Sequence, residues 1–103
     1  MKTKYYIAYE NYLCKFDYVN NTLESWQIDE HTLKCAYYIE NCEDLNETFN
    51  FLQNTCKIPY TSIDEEKFNK ILNDFKRLME MQDKINELKL NYTKQVKEYL
   101  TNF

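Results

Sequence analysis

The chain has 103 residues, 44% of them hydrophobic and 29% charged, with a net charge of −4 and no glycine. This composition is globular, and the length predicts one compact domain with a strand-rich acidic region over 1–61 and an amphipathic helical region over 62–103. The absence of glycine excludes the glycine-rich loops that hold phosphates and dinucleotides, and the single histidine, His31, excludes zinc hydrolase sites built on two histidines.

The N-terminal third is predicted to form antiparallel strands. Aromatic and apolar residues alternate with their neighbours over 4–9 and again over 12–18, and a third run covers 22–28. This period of two is typical of half-buried strands. Turns are expected at Glu10-Asn11 and at Asn20-Asn21, because asparagine tolerates the positive φ that tight turns require.

The pairing of the second and third strands depends on the loop between them. A two-residue loop sets Asp17 opposite Glu24, and like charges directly opposite each other destabilise a sheet. A three-residue loop brings Cys14 opposite Trp26 instead. We therefore expect the three-residue loop.

A fourth apolar run, over 32–39, fits either a further strand or the start of a helix, and we favour the strand. A short helix is then predicted with Asn41 as its N-cap. Its apolar residues follow at spacings of four, three and four, at Leu45, Phe49, Leu52 and Cys56. The only proline, Pro59, marks the loop that ends it.

A long amphipathic helix is predicted after Pro59. Ser62 and Glu65 form a capping-box pattern, and neither proline nor glycine follows as far as Phe103. We expect one long helix, with a hairpin that bends near 80–84 or 90–93 as the alternative. The apolar seam predicted to mediate oligomerisation, interrupted by Gln82 and Lys89, consists of Phe68, Ile71, Phe75, Leu78, Ile85, Tyr92, Val96 and Tyr99.

Together these elements predict an α+β fold: an N-terminal antiparallel β-meander of three or four strands, a short helix, and a long C-terminal helix or helical hairpin. No apolar run is long enough to cross a membrane, and the stretch before Glu10 is too short for the apolar core of a signal peptide. We therefore expect a cytoplasmic protein with reduced cysteines. The cysteines lack the close spacing of zinc ligands, and we predict neither a metal nor a cofactor.

Acidic residues concentrate between Asp29 and Glu47, where six carboxylates stand against one lysine. The absence of a basic stripe argues against direct nucleic-acid binding. An acidic surface fits a basic protein surface, although small proteins also carry acids for solubility. Tyrosines on both faces of the predicted sheet add contact area. The predicted partner-binding residues are Asp29, Glu30, Tyr37, Tyr38, Glu40, Glu43, Asp44 and Glu47.

In its size, acidity, lack of glycine and preference for residues with AT-rich codons, the whole chain resembles the small phage-encoded inhibitors of bacterial defence, such as anti-CRISPR proteins. That resemblance implies a protein that acts in the bacterial host cell and docks on a defence effector. It further implies that the six carboxylates stand in for phosphates on the effector's nucleic-acid channel.

A structural protein and an enzyme are the two alternative classes of function. The seam of the C-terminal helix fits a homodimeric coiled coil, which predicts a structural or regulatory protein without an inhibitory role. No nucleophile and base can be paired, and a chain this short has little room for a deep pocket beside a core. We therefore expect a binding protein and not an enzyme.

Overall fold

A computed structural model describes residues 2–101 of the chain as a five-stranded antiparallel sheet with helices on both faces. The order across the sheet is β4-β3-β2-β1-β5. A short helix, α1 (Leu45–Asn50), runs into a π-helical turn (Phe51–Thr55), and a single helix, α2 (Glu65–Thr101), ends the described chain. The strands are β1 (Thr3–Ala8), β2 (Tyr12–Asp17), β3 (Thr22–Asp29), β4 (Lys34–Asn41) and β5 (Tyr60–Ile63).

The predicted α+β class is confirmed, with a four-strand meander, a short helix and a long C-terminal helix. The run over 32–39 forms a strand, β4, and not the start of a helix. The long helix continues unbroken through both places where a hairpin could bend. The last residue of the predicted seam, Phe103, lies outside the described residues.

The predicted register between β2 and β3 is wrong. Leu13, and not Cys14, lies opposite Trp26, because the connecting loop has four residues. The Asp17 carboxylate builds that loop: it accepts hydrogen bonds from the backbone N–H groups of Val19 and Asn20, at 3.0 and 3.2 Å. The resulting register also places Lys15 opposite Glu24, which favours it electrostatically.

Left-handed backbone conformations fall on ordinary residues because the chain has no glycine. Asn21 has φ of 52°, which agrees with the turn predicted at Asn20-Asn21. At the other turns the positive φ falls on Tyr9, Leu33 and Lys57, with values of 57°, 53° and 59°. Bulky side chains are disfavoured in this conformation, so the positive φ at these three residues could not be predicted from their identity.

Both predicted helix starts are displaced. Asn41 ends β4, and Asp44 caps α1 by accepting a hydrogen bond from the backbone N–H of Glu47 at 3.2 Å. Ser62 belongs to β5, a strand that the sequence did not predict, and Asp64 begins α2 by accepting from the backbone N–H of Lys67 at 2.7 Å. An aspartate just before each helix satisfies an otherwise unpaired N–H, as its short carboxylate readily does.

Aromatic rings dominate the core on the α1 side of the sheet. Phe16 has no solvent exposure, and its ring meets those of Tyr6, Phe49 and Tyr60 at centroid distances of 5.4, 5.1 and 5.6 Å. Leu45 of α1 closes this core from above at 1% exposure. Three residues of the predicted apolar face, Leu45, Phe49 and Leu52, thus seat the helix on β1, β2 and β5, whereas the fourth, Cys56, is exposed.

A second core lies on the opposite face, beneath the first turns of α2. Phe68 and Leu72 pack with Leu13, and the Phe68 ring lies 4.7 Å from that of Tyr5 and 5.4 Å from that of Trp26. The alternation of β1 supplies both cores, since its even positions face α1 and its odd positions face α2. Because helices cover both faces, most tyrosines of β1 and β2 pack against protein.

The Tyr60 hydroxyl makes the fold sensitive to alkaline pH. Burial raises the pKa of this phenol above its ordinary value. The unfolded chain therefore loses its phenolic protons first, so the free energy of unfolding is intact below about pH 10 and falls as the pH rises further.

We expect the free energy of unfolding of Tyr60→Phe to fall less steeply above that pH than that of the wild type. Urea unfolding at a series of pH values measures the difference. At neutral pH the two proteins should unfold at similar urea concentrations, because the ring keeps its packing. Equal slopes at alkaline pH would show that the Tyr60 hydroxyl contributes nothing to this loss.

Candidate protein-binding surfaces

The outer edge of the sheet at β4 carries an exposed apolar strip. No strand pairs with its outer side within residues 2–101. Its middle residues, Cys35 to Ile39, carry no charge and no proline. Tyr37, Tyr38 and Ile39 are 49%, 56% and 59% exposed. We call these three residues the edge patch.

Tyr37 is held in place by its neighbours in the sheet. Its ring lies 5.2 Å from that of Trp26, and its hydroxyl donates a hydrogen bond of 2.6 Å to Glu24 Oε1. The other oxygen of Glu24 lies 3.7 Å from Lys15 Nζ, so a polar row crosses β2, β3 and β4. The hydrogen bond to Glu24 raises the pKa of the Tyr37 phenol. A contact residue that is fixed in this way loses little conformational entropy on binding.

The side chains of the edge patch lie on both faces of the sheet. Tyr38 pairs with Ser25 and points to the α1 side, whereas Tyr37 and Ile39 point to the α2 side. The sequence predicted that Tyr37 and Tyr38 would lie on opposite faces, and the register agrees. Ile39 was not predicted as a contact residue, although its place in the same alternation was a usable signal.

The predicted acidic residues do not form one surface. Asp29 and Glu30 lie at the β3–β4 turn, while Glu40, Glu43, Asp44 and Glu47 lie near the opposite end of β4. The length of β4, about 23 Å, separates the two groups. All six residues are exposed.

Two of these acids also have local structural roles. Asp29 accepts from the backbone N–H groups of His31 and Thr32 at 2.9 and 3.2 Å, and the bonds to Thr32 lower the pKa of its carboxyl. Asp44 caps α1. The acids with no such role, Glu30, Glu40, Glu43 and Glu47, are the better candidates for contact with a partner.

The second surface is the half of α2 that extends beyond the sheet. Every side chain from Asp83 to Thr101 is exposed, and the molecule reaches 69 Å in its longest dimension but only 26 Å across. Apolar residues nonetheless recur at spacings of three and four, from Leu78 beside the sheet turns into this exposed half. We call these residues the helix stripe: Leu78, Met81, Ile85, Leu88 and Tyr92, with exposures of 47, 59, 45, 67 and 70%.

The predicted oligomerisation seam is divided by the structure. Phe68 and Phe75 are buried at 3% and 6% exposure, and Ile71 packs against the same core, so these three belong to the protein's own interior. Leu78, Ile85, Tyr92, Val96 and Tyr99 remain exposed. Met81 and Leu88, which the predicted seam did not include, are 59% and 67% exposed and fall at the 3–4 spacing that runs from Leu78 to Tyr92.

The remaining reactive groups do not converge on a site. Among residues 2–101 there is no cluster of three or more histidine, cysteine, aspartate or glutamate side chains fit to hold a metal. The cysteines are free thiols: Cys14 is buried, Cys35 and Cys42 are partly buried, and Cys56 is exposed. Over the same residues no helix combines the length and apolar character needed to span a membrane.

Comparison with protein-family models, with curated proteins and with solved structures found no match to this chain. The edge patch and the helix stripe are therefore the features of the described residues that bear on function.

Proposed function

We propose that this chain is a binding protein without catalytic activity, and that it inhibits a protein partner by docking on the partner's basic surface. The observation that supports this proposal is the edge patch on β4. An exposed edge strand with an uncharged middle is what an added strand from another protein pairs with.

The sheet offers only one edge suited to such pairing. β5, at the other edge, has four residues, whereas β4 has eight. Natural proteins protect an edge strand with charges, proline or bulges, and the middle of β4 has neither charge nor proline. Backbone hydrogen bonds to β4 would supply affinity, and Tyr37 and Tyr38 would supply contact area on the two faces.

The acidic groups at the two ends of β4 favour a basic partner. Glu30 precedes β4 in the β3–β4 turn. Glu40 is the next-to-last residue of β4, and Glu43 follows its end. A partner strand with lysine or arginine at both ends would meet opposite charge at each, which raises the rate of association. A bacterial defence effector whose nucleic-acid channel is basic has this chemistry, and we propose that class of target.

A substitution on the edge patch tests the proposal. Tyr38→Lys places a charge in the middle of the edge, and we expect it to abolish capture of the partner from a lysate of an AT-rich bacterium. Val19→Lys is the matched control, because Val19 is 60% exposed and lies in the β2–β3 loop, outside the edge patch. Both proteins should fold like the wild type, since exposed substitutions typically change stability by about 0.5 kcal/mol or less.

The supporting result is a protein held by the wild type and by Val19→Lys but not by Tyr38→Lys, and released by salt because screening weakens charge contacts. Glu40→Lys with Glu43→Lys should weaken the same capture without removing the α1 cap. Retention of the same proteins by all of these baits would contradict the assignment to β4.

A further inference from the structure

The helix stripe on α2 is an exposed apolar surface, and no segment of residues 2–101 buries it. Residues 83–101 are exposed on all sides, yet an isolated helix of this length is marginal in water and helices in proteins draw most of their stability from packing. The stripe is separate from the edge patch, so an inference about it goes beyond the binding function proposed above.

The stripe has the repeat of a coiled coil. Leu78, Ile85, Tyr92 and Tyr99 recur every seven residues, and Met81 and Leu88 fall three residues after the first two of them. At about 100° per residue, the stripe points about 130° away from the side of α2 formed by its sheet-facing residues. A second helix can therefore pack along the stripe without displacing the sheet from Phe68 and Leu72.

The charges beside the stripe select one orientation of a second copy. In a parallel pair, Lys84 of each copy would face Lys89 of the other, which is repulsive. In an antiparallel pair in which Ile85 meets Leu88 of the second copy, Arg77 faces Glu98 and Lys84 faces Asn91. This arrangement brings opposite charges together and leaves no like charges opposed.

The same arrangement fills a groove at the start of the stripe. A groove of about 560 Å³ runs between the sheet turns and α2, with Ile71, Asp74 and Leu78 on its helical side. Gln95 of the second copy would lie beside Leu78, and residues 96–100 of that copy would continue along the groove. The groove and the stripe thus form one continuous surface.

We propose that α2 pairs with α2 of a second copy as an antiparallel coiled coil, with the two sheets at opposite ends. The dimer would be centred near Glu87 and would display both β4 edges, one at each end. In this proposal a second copy of this chain occupies the helix stripe, whereas a different protein binds the edge patch. The two proposals are therefore independent, and either can be wrong while the other holds.

The first test is the oligomeric state. We expect the wild type to sediment as a dimer at micromolar concentration and to dissociate on dilution. Ile85→Asp buries a charge in each half of the interface and should weaken the dimer by about a hundredfold or more. Leu90→Asp is the matched control: Leu90 is 73% exposed and lies about 160° around the helix from the stripe, so this variant should remain dimeric.

These variants keep the fold, because Ile85 and Leu90 lie beyond both cores, and circular dichroism and tryptophan fluorescence should show the same sheet in each. A wild type that stays monomeric overturns the proposal and leaves the stripe to a different partner. A dimer that survives Ile85→Asp also overturns it, since another surface such as β4 must then hold the copies together.

The second test is the orientation. Arg77→Glu and Glu98→Arg should each weaken the dimer by about two- to thirtyfold, since each turns two attractive pairs into repulsive ones, and the double variant should recover the wild-type affinity. Lys94→Glu, on the outer side of the helix, controls for the change in net charge. Without recovery in the double variant the antiparallel arrangement is wrong, because in a parallel pair Arg77 and Glu98 never meet.

Discussion

Phe16→Ala is expected to remove most of the stability of the fold. The ring is fully buried between Tyr6, Phe49 and Tyr60 at the centre of the α1-side core. Deleting a buried phenylalanine ring costs about 3–5 kcal/mol, out of a total of about 5–15 kcal/mol for a typical protein. Urea unfolding followed by circular dichroism will measure the loss.

Phe51→Ala is the control for this effect, since Phe51 is the same residue type in the π-helical turn but is 55% exposed. It should cost about 1 kcal/mol or less. If the two variants lose similar amounts of stability, Phe16 does not hold the central place in the core that its burial indicates.

Phe68→Ala is expected to loosen α2 from the sheet. Phe68 is 3% exposed and its ring contacts Tyr5 and Trp26, so the cost should again be about 3–5 kcal/mol. Because Trp26 is the only tryptophan, its fluorescence should shift toward that of a solvated indole in the variant before global unfolding.

A leucine on the same helix provides the comparison. Leu90→Ala removes an exposed side chain, and we expect it to change stability by about 0.5 kcal/mol or less. Similar losses in the two variants would mean that the first half of α2 is not anchored through Phe68.

Local alternation and helical spacing were enough to predict the order and type of most elements. Strands β1 to β4 and the length of α2 follow from periodicity, which depends on near neighbours in the chain. The β2–β3 register does not, because it depends on how the Asp17 carboxylate organises the loop that follows it. β5 was missed because four residues after a proline carry too short a pattern, and only pairing with β1 defines them.

For the candidate surfaces too, some features follow from near neighbours in the chain and others depend on the tertiary structure. Tyr37 and Tyr38 could be placed on opposite faces of a strand from alternation alone, but their exposure depends on β4 being the edge of the sheet, which is a property of topology. The acids between Asp29 and Glu47 are close in sequence and separated in space, because β4 runs between them. For α2, the sequence shows one long amphipathic seam, and only the fold shows where the sheet stops covering it.

The extension of α2 beyond the sheet divides the chain into parts of unequal local stability. We expect backbone amides in β1 and β2 to open only when the whole domain unfolds, whereas those of residues 83–101, at the far end of α2 from the sheet, can open locally without disturbing either core. In a monomer this end would be the segment that proteases reach first, at Lys84, Lys89, Lys94 and Lys97. Pairing with a second copy would make the resistance of this helix to proteolysis depend on protein concentration. A fall in concentration would then dissociate the dimer and expose the helix to degradation.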